Sequence, residues 1–190
     1  MRYRFCPQCG SQLSEIQAGD DGMVPYCVRC DKHWFDSFQS CVVVLTYNEF
    51  DEVALSKQWY LPEKYSSVTS GYMKPGETAE EAALREVKEE LGLDLQRLEY
   101  AGTYWLDAAD QLLHGFIGFS PKKELKPSEE VGSAEWVPVH LAEEKMFPDE
   151  PGGALYEIYH KFLKKVEKQK SGSENRNQAY LPELTTKKAL

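Results

Sequence analysis

The segment spanning residues 71–93 constrains the fold more than any other part of the chain. It reads GYMKPGETAEEAALREVKEELGL, in which glycine and proline give way to a run of strong helix formers. Thr78 and Glu81 have the spacing of a capping box, and Gly92 stands where a helix terminator is expected. The segment therefore predicts a tight loop followed by a helix that ends near Gly92.

The two sides of this predicted helix differ in chemistry. At about 100° per residue one side is apolar, and this stripe consists of Ala83, Leu84, Val87 and Leu91. Glu86, Glu89 and Glu90 share an adjoining face. Three like charges on one wall repel one another unless a cation neutralises them, and oxygen ligands at this spacing suit Mg²⁺ or Mn²⁺. Arg85 is one turn from both Glu89 and Glu81, so it can hold a carboxylate in place.

The fixed residues of the segment resemble the Nudix box, G-x5-E-x7-R-E-U-x-E-E-x-G-U with U apolar, at every fixed position. The resemblance implies hydrolysis of a nucleoside diphosphate linked to another group, with Mg²⁺ or Mn²⁺ as cofactor. It also implies an α/β sandwich with a mixed sheet, and box geometry set by Gly71, Glu77 and Gly92. A backbone carbonyl near Ser70 or Gly71 would join the metal ligands. The alternative for the helix alone is a solvated, Glu-rich surface with ion pairs one turn apart.

Four cysteines precede this segment with the spacing C-x2-C-x17-C-x2-C, namely Cys6, Cys9, Cys27 and Cys30. This spacing predicts a structural zinc site with four thiolate ligands. Disulfides or a redox pair are the alternatives. His33 follows closely, but four ligands are already present, so we expect it to be a surface or packing residue.

Charge and hydropathy exclude some partners. The net charge is −9, and residues 1–40 hold four basic and five acidic residues, a net charge of −1. Neither value favours a general nucleic-acid or membrane-surface binder. The amino-terminal residues contain no apolar signal-peptide core, and no run of about 18 apolar residues occurs. We expect a cytoplasmic protein whose partner is a small nucleotide.

The remaining pattern predicts strands and one further helix. Predicted strands cover residues 41–45, 53–55, 98–106, 111–119 and 134–139. From Gly153 onward, apolar residues recur at helical spacing, and they are Leu155, Ile158, Tyr159, Phe162, Leu163 and Val166. The predicted domains are a zinc ribbon over 1–38, a hydrolase domain over 39–168 and a polar tail over 169–190.

A zinc ribbon that leads directly into such a domain is similar to the NADH pyrophosphatase branch of the Nudix family. The similarity covers about residues 1–168, including WFDSFQSCVVV from Trp34 to Val44. It places a further acidic metal ligand at Glu130, six residues before Trp136, although Glu129 could substitute. The Ser-Gln-Pro-Trp motif of the NADH-selective members is absent, and Thr103-Tyr104-Trp105-Leu106 stands there instead.

These residues together predict a metal-dependent pyrophosphohydrolase. The catalytic set is Glu86, Glu89, Glu90, Arg85 and Glu130, with Glu89 or Glu130 as the base that takes a proton from water. Aromatic candidates for substrate binding are Trp59, Tyr65, Tyr72, Tyr104 and Trp105, for which core packing is the alternative role. NAD(H) leads the substrate candidates, followed by ADP-ribose, FAD, dinucleoside polyphosphates and NAD-capped RNA. The competing hypothesis is a ligand-sensing or nucleic-acid-binding regulator without catalysis. A homodimer is also expected from the resemblance.

Overall fold

The computed structural model of the chain describes residues 3–59, 61–149 and 151–178. Nine strands and three α-helices are formed by these residues. The strands are β1 (Ser14–Gln17), β2 (Met23–Cys27), β3 (Lys32–His33), β4 (Gln39–Tyr47), β5 (Glu52–Gln58), β6 (Thr69–Tyr72), β7 (Arg97–Leu106), β8 (Gln111–Phe119) and β9 (Val131–Pro138). The helices are α1 (Ala79–Leu91), α2 (Val139–Lys145) and α3 (Ala154–Gln178).

The larger sheet is mixed and has six strands. Its order is β7-β8-β4-β5-β9, and β6 pairs with β4. The β4–β8 pair is parallel, whereas the other pairs are antiparallel. Strand β4 carries the apolar run Cys41–Leu45, which is buried on both faces, as expected for a central strand.

Helices cover both faces of this sheet, so its residues divide between two apolar cores. One core lies under α1 and includes Val42, Val44, Val87, Leu91 and Phe116. The other lies under α2 and α3 and includes Leu45, Leu55, Ile158, Phe162 and Val166. The expected α/β/α sandwich with a mixed sheet is therefore confirmed. The predicted amphipathic helix at the carboxyl end is α3.

Three details of the sequence-based prediction were wrong. Leu84 is 43% exposed, and Ala82 takes its place in the buried stripe of α1. Val139 begins α2 and does not end a strand, because Pro138 occupies the position that precedes the helix. The sequence analysis also missed the short elements α2 and β6, which are too brief to show a clear period. Of the predicted polar tail, residues up to Gln178 continue α3, and residues 179–190 lie outside the described part of the chain.

The amino-terminal cysteines belong to a separate small sheet. Its strand order is β1-β2-β3, and both pairs are antiparallel. Cys27 ends β2, and Cys30 stands in the turn before β3. The sheet thus brings the second cysteine pair next to the turn that holds Cys6 and Cys9.

Candidate active site

Helix α1 begins and ends as its sequence predicts. The Thr78 side chain accepts a hydrogen bond from the Glu81 backbone N–H, and the Glu81 carboxylate accepts one from the Thr78 N–H, so the capping box is complete. Gly92 ends the helix with a φ of 70°, a conformation that glycine adopts without strain. These two caps set the bounds of the helix that carries Glu86, Glu89 and Glu90.

Strand β6 passes directly over the Glu86 side chain. Gly71 pairs with Val42 of β4, and a Cβ atom at position 71 would lie 2.0 Å from the Glu86 Cδ. No side chain fits at that distance, so the glycine lets the strand and the carboxylate approach each other.

Replacement of Gly71 by alanine is expected to displace either Glu86 or β6. Because about 1 Å of misplacement can cost on the order of 10²-fold in rate, we expect kcat to fall by about that factor. Steady-state kinetics test the loss, with Gly76→Ala as a second loop variant, since a Cβ there would meet nothing within 4 Å. Gly76 has a φ of 88°, so that variant strains the backbone without touching Glu86. Equal losses in the two variants would show that the Glu86 contact is unimportant.

Arg85 holds the loop and two carboxylates of the helix together. Its Nε and Nη2 donate to the two oxygens of Glu77 at 2.5 and 2.9 Å, and Nη2 also donates to the Tyr72 backbone oxygen at 3.0 Å. Nη1 donates to Glu86 at 2.6 Å and to Glu89 at 2.9 Å. The expected contact with Glu89 is thus present. The expected contact with Glu81 is not, because Glu81 is used in the capping box.

The contact with Arg85 controls the protonation of Glu77. The guanidinium, together with the Lys74 backbone N–H, lowers the pKa of Glu77 from an ordinary 4.5 to about 2. A lowered folded-state pKa means that the carboxylate stabilises the fold above pH of about 4.5 and that this stabilisation is lost as the pH falls toward 2.

Replacement of Glu77 by glutamine is therefore expected to flatten the acid side of the stability profile. The free energy of unfolding of the wild type should fall more steeply between pH 4.5 and pH 2 than that of Glu77→Gln. Denaturant titrations at several pH values measure this difference. Glu124→Gln, at an exposed loop position, is the matched control and should retain the wild-type slope; identical slopes in all three proteins would contradict the prediction.

Glu90 has the environment of a cation ligand. Its side chain is buried, and its Oε2 has no hydrogen-bond partner among the described residues. Burial, followed by the negative charge of Glu86, raises the pKa of Glu90 to about 7. Burial also raises the pKa of Glu86. An unpaired buried oxygen beside a second carboxylate fits a hard divalent ion, which would remove both penalties.

A cavity of about 800 Å³ opens over these carboxylates. Glu86, Glu89, Glu90 and Glu130 all line it, together with Ser70 and Gly71 of β6. Glu130 lies in the exposed turn before β9, and its charge reaches Glu90. Among the described residues, the cysteine cluster alone brings three or more candidate ligand atoms within 4.8 Å of one another, so the four carboxylates are near each other without converging.

The aromatic candidates separate into two groups. Trp59 and Tyr72 line the cavity, and Trp59 is 85% exposed, so core packing does not explain it. Tyr65, Tyr104 and Trp105 lie outside the cavity lining. Tyr65 packs edge-on against Phe147, Tyr104 bonds Lys161 of α3, and Trp105 packs against Phe38.

The residues that line the cavity but were not predicted as site residues include Gln58, Leu106, Gln111 and Leu113. They stand near the ends of strands, and nothing in the one-dimensional pattern distinguishes them from other strand residues. Leu106 belongs to the Thr103–Leu106 segment, which replaces the motif of the NADH-selective branch. At least one residue that differs from the family pattern therefore lines the cavity.

The four amino-terminal cysteines form a compact cluster. All four are free thiols, and their Sγ atoms lie within 4.8 Å of one another, with 3.6 Å from Cys9 to Cys27 and 3.9 Å from Cys6 to Cys30. A tetrahedral zinc with ligands at about 2.3 Å places neighbouring sulfurs about 3.8 Å apart. The cluster therefore fits zinc. His33 stays outside it, exposed and in contact with the Tyr26 and Phe35 rings.

No helix among the described residues combines the length and the apolar character that crossing a membrane requires.

Comparison with known sequences identifies the family of the chain. The NUDIX domain family matches residues 37–157. A NAD-capped RNA hydrolase NudC of Pseudomonas aeruginosa is 33% identical over 135 residues, which are 70% of this chain and 47% of that protein. Its counterpart in Pseudomonas fluorescens is 28% identical over 139 residues, which are 73% of this chain and 49% of that protein. The chain thus spans about half the length of these curated relatives.

Solved structures share the fold at low identity. A NUDIX hydrolase from Nitrosomonas europaea has a TM-score of 0.58 and 22% identity, over 83% of this chain and 87% of that one. The NUDIX domain of Shewanella oneidensis NrtR in complex with ADP ribose has a TM-score of 0.56 and 12% identity, over 74% of this chain and 93% of that one. At these identities the likeness concerns the fold alone.

Proposed function

Because this chain belongs to the Nudix hydrolase family, we propose that it hydrolyses the pyrophosphate of a nucleoside diphosphate linked to another moiety, with an NAD(H)-like dinucleotide preferred. The observation that carries the proposal is the set of carboxylates that line one large cavity, of which Glu90 is buried with an unpaired oxygen. The volume of about 800 Å³ is within the range of small-molecule and cofactor sites.

Mg²⁺ or Mn²⁺ would be held by Glu86, Glu89, Glu90 and Glu130, with the Ser70 backbone carbonyl as a further ligand. When bound, such ions offset the charge of the pyrophosphate and lower the pKa of an attacking water. These ligands are proposed from the box pattern and from the residues that line the cavity.

The protein's own residues position the carboxylates and the substrate phosphates, and they deprotonate the attacking water. Arg85 fixes Glu86 and Glu89 relative to the loop, and Lys74, with its Nζ 3.6 Å from Glu89, supplies a positive charge at the cavity wall for a phosphate oxygen. Glu89 or Glu130 takes the proton of the attacking water at a carboxylate oxygen. Both are exposed at the cavity, so the proton can pass to solvent after turnover.

The curated relatives favour NAD as part of the substrate. Both are named NAD-capped RNA hydrolases, and NAD itself contains the pyrophosphate that the proposed reaction cleaves. NAD-capped RNA is therefore the second candidate substrate. The net charge of −9 favours the free dinucleotide, because the protein offers no general attraction to a phosphate backbone.

The domain division and the oligomeric state are part of the same proposal. We assign residues 1–38 to the ribbon and residues 39–168 to the hydrolase domain, because the cysteine cluster lies at the three-stranded sheet, whereas Gly71 of the box lies in β6 of the six-stranded sheet. A homodimer is proposed from the family resemblance.

Product analysis with purified protein tests the function. The protein is incubated with Mg²⁺ or Mn²⁺ and one of six kinds of compound: NADH, NAD, ADP-ribose, FAD, a diadenosine polyphosphate or a short NAD-capped oligonucleotide. Glu89→Gln is the inactive control. Cleavage of NADH to AMP and nicotinamide mononucleotide well above the rest supports the preferred substrate. Activity confined to another compound would replace that substrate, and absence of hydrolysis with metal bound would favour a ligand-sensing protein.

A further inference from the structure

The floor of the cavity is the uncovered part of one sheet face. Strand register places Cys41 beside Leu113 of β8 on one side and beside Tyr72 of β6 on the other. The same register sets Gln39 beside Gln111, and Gln111 beside Leu106. Paired residues share a face of a sheet, so these side chains form one continuous surface.

Helix α3 covers only the neighbouring part of this face. Tyr104, two residues before Leu106 on β7, is held under the helix by the Lys161 ammonium. Leu106 and Gln111 line the cavity, and Leu113 both lines it and packs against the core under α3. The open floor, which we define as Cys41, Tyr72, Leu106, Gln111 and Leu113 of the cavity lining together with the neighbouring Gln39, contains no charged residue.

The polar groups of the open floor are oriented toward one another. The Gln111 Nε2 donates to the Tyr72 hydroxyl at 2.8 Å and reaches the Gln39 Oε1 at 3.5 Å. Both bonds occupy the nitrogen of the Gln111 amide. Neither bond uses the Gln111 Oε1 or the Gln39 amide nitrogen, so the pair offers one further acceptor and one further donor.

We propose that Gln111 determines specificity by binding the hydrogen-bonding edge of a planar ring of the substrate, and that Tyr72 positions its amide. This inference rests on the proposed function, and it concerns the part of the substrate that the carboxylates do not hold. The floor suits a ring because Leu106 and Leu113 offer apolar contact, whereas its paired amides match an adjacent donor and acceptor. The adenine amino edge and the carboxamide of nicotinamide both have that chemistry.

Two NAD analogues distinguish these rings. Deamino-NAD replaces the adenine amino group with an oxygen, and nicotinic acid adenine dinucleotide replaces the carboxamide with a carboxylate. We expect the wild type to prefer NAD over one of the two by about tenfold in kcat/KM, the effect of one hydrogen bond of about 1.4 kcal/mol. The analogue that is disfavoured identifies the ring that Gln111 binds.

Variants of Gln111 and Tyr72 test the roles of these side chains in substrate binding, separately from any effect on folding. Gln111→Leu should raise KM for NAD by about tenfold, leave kcat within threefold and erase the discrimination between NAD and its analogue. Tyr72→Phe retains the backbone oxygen that binds Arg85 and should cause a smaller change in the same direction. Gln96→Leu, at an exposed position before β7, is the matched control. Thermal melts establish that each variant is folded.

The outcomes separate this inference from the proposed function. If the wild type hydrolyses the dinucleotides and Gln111→Leu discriminates as the wild type does, or loses activity equally on all three, the inference is wrong and the function stands. If the wild type hydrolyses none of them but binds NAD and the disfavoured analogue with a difference that Gln111→Leu erases, the function is wrong and the ring site stands. Neither hydrolysis nor binding would overturn both.

Discussion

Replacement of Glu90 by glutamine is expected to lower kcat by about 10²–10⁴-fold while the protein remains folded. The activity falls because glutamine removes a negative charge from the carboxylate set that lines the cavity. The fold persists because glutamine fills the same volume and introduces no buried charge. Steady-state kinetics with saturating Mg²⁺ or Mn²⁺ and a far-UV circular dichroism melt measure the two effects.

In the absence of metal, the wild type and Glu90→Gln are expected to differ in how the free energy of unfolding depends on pH. The pKa of Glu90 is raised from 4.5 to about 7, so the neutral form is favoured in the folded state, and the stabilisation present below pH 4.5 is lost as the pH rises through about 7. Glu90→Gln lacks this loss and should be at least as stable as the wild type at pH 8.

Glu80→Gln, in the exposed first turn of α1, is the control for the loss of turnover and should retain full activity. A Glu90→Gln enzyme within severalfold of wild-type turnover would remove Glu90 from the site.

Replacement of Cys27 by serine is expected to abolish zinc binding and to unfold the amino-terminal sheet. Cys27 is fully buried at the end of β2, and a structural zinc contributes on the order of 10–16 kcal/mol of apparent binding energy to the fold that forms its site. Metal analysis of the wild type should give about one zinc per chain, and the variant should give almost none. Hydrogen exchange should become fast in β1 and β2 and stay slow in β4 and β8.

Cys41→Ser is the matched control for this experiment. Cys41 is also a buried thiol, but it lies in β4, outside the cysteine cluster, and burial raises its pKa to about 11, which disfavours the thiolate that binds zinc. Its serine variant should retain the zinc. Equal zinc content in wild type and Cys27→Ser would show that the cluster is not a metal site.

The box helix could be predicted from sequence because its information is local. The cap at Thr78 and Glu81, the terminator Gly92 and the helix formers between them act within a few residues of one another, and all three features are observed. Leu84 shows the limit of the periodicity argument. Its angle on the helix is close to that of the buried Leu91, yet its side chain is 43% exposed, because periodicity alone does not give the edge of the buried face.

The substrate candidates show a second limit. The sequence alone did not separate Trp59, Tyr65 and Tyr104, yet Trp59 lines the cavity while Tyr104 lies beneath α3 and Tyr65 packs on Phe147. Their positions depend on strand register and on where α3 crosses the sheet. Gln111 was not predicted as a site residue for the same reason, because its hydrogen bonds are made with Tyr72 and Gln39, which are far from it in the chain.

Strand β6 links the chemistry of the site to its selectivity through three consecutive residues. Ser70 lines the cavity beside the carboxylates, Gly71 makes room for Glu86, and Tyr72 bonds Arg85 through its carbonyl and Gln111 through its hydroxyl. A shift of this strand by a single residue would turn every one of these groups to the opposite side of the sheet. Insertions or deletions between β5 and α1 that alter the pairing of β6 therefore cannot change substrate preference without also displacing the groups beside the carboxylates. New specificities are expected to arise by substitution on β7 and β8, whose side chains reach the same floor without touching the metal ligands.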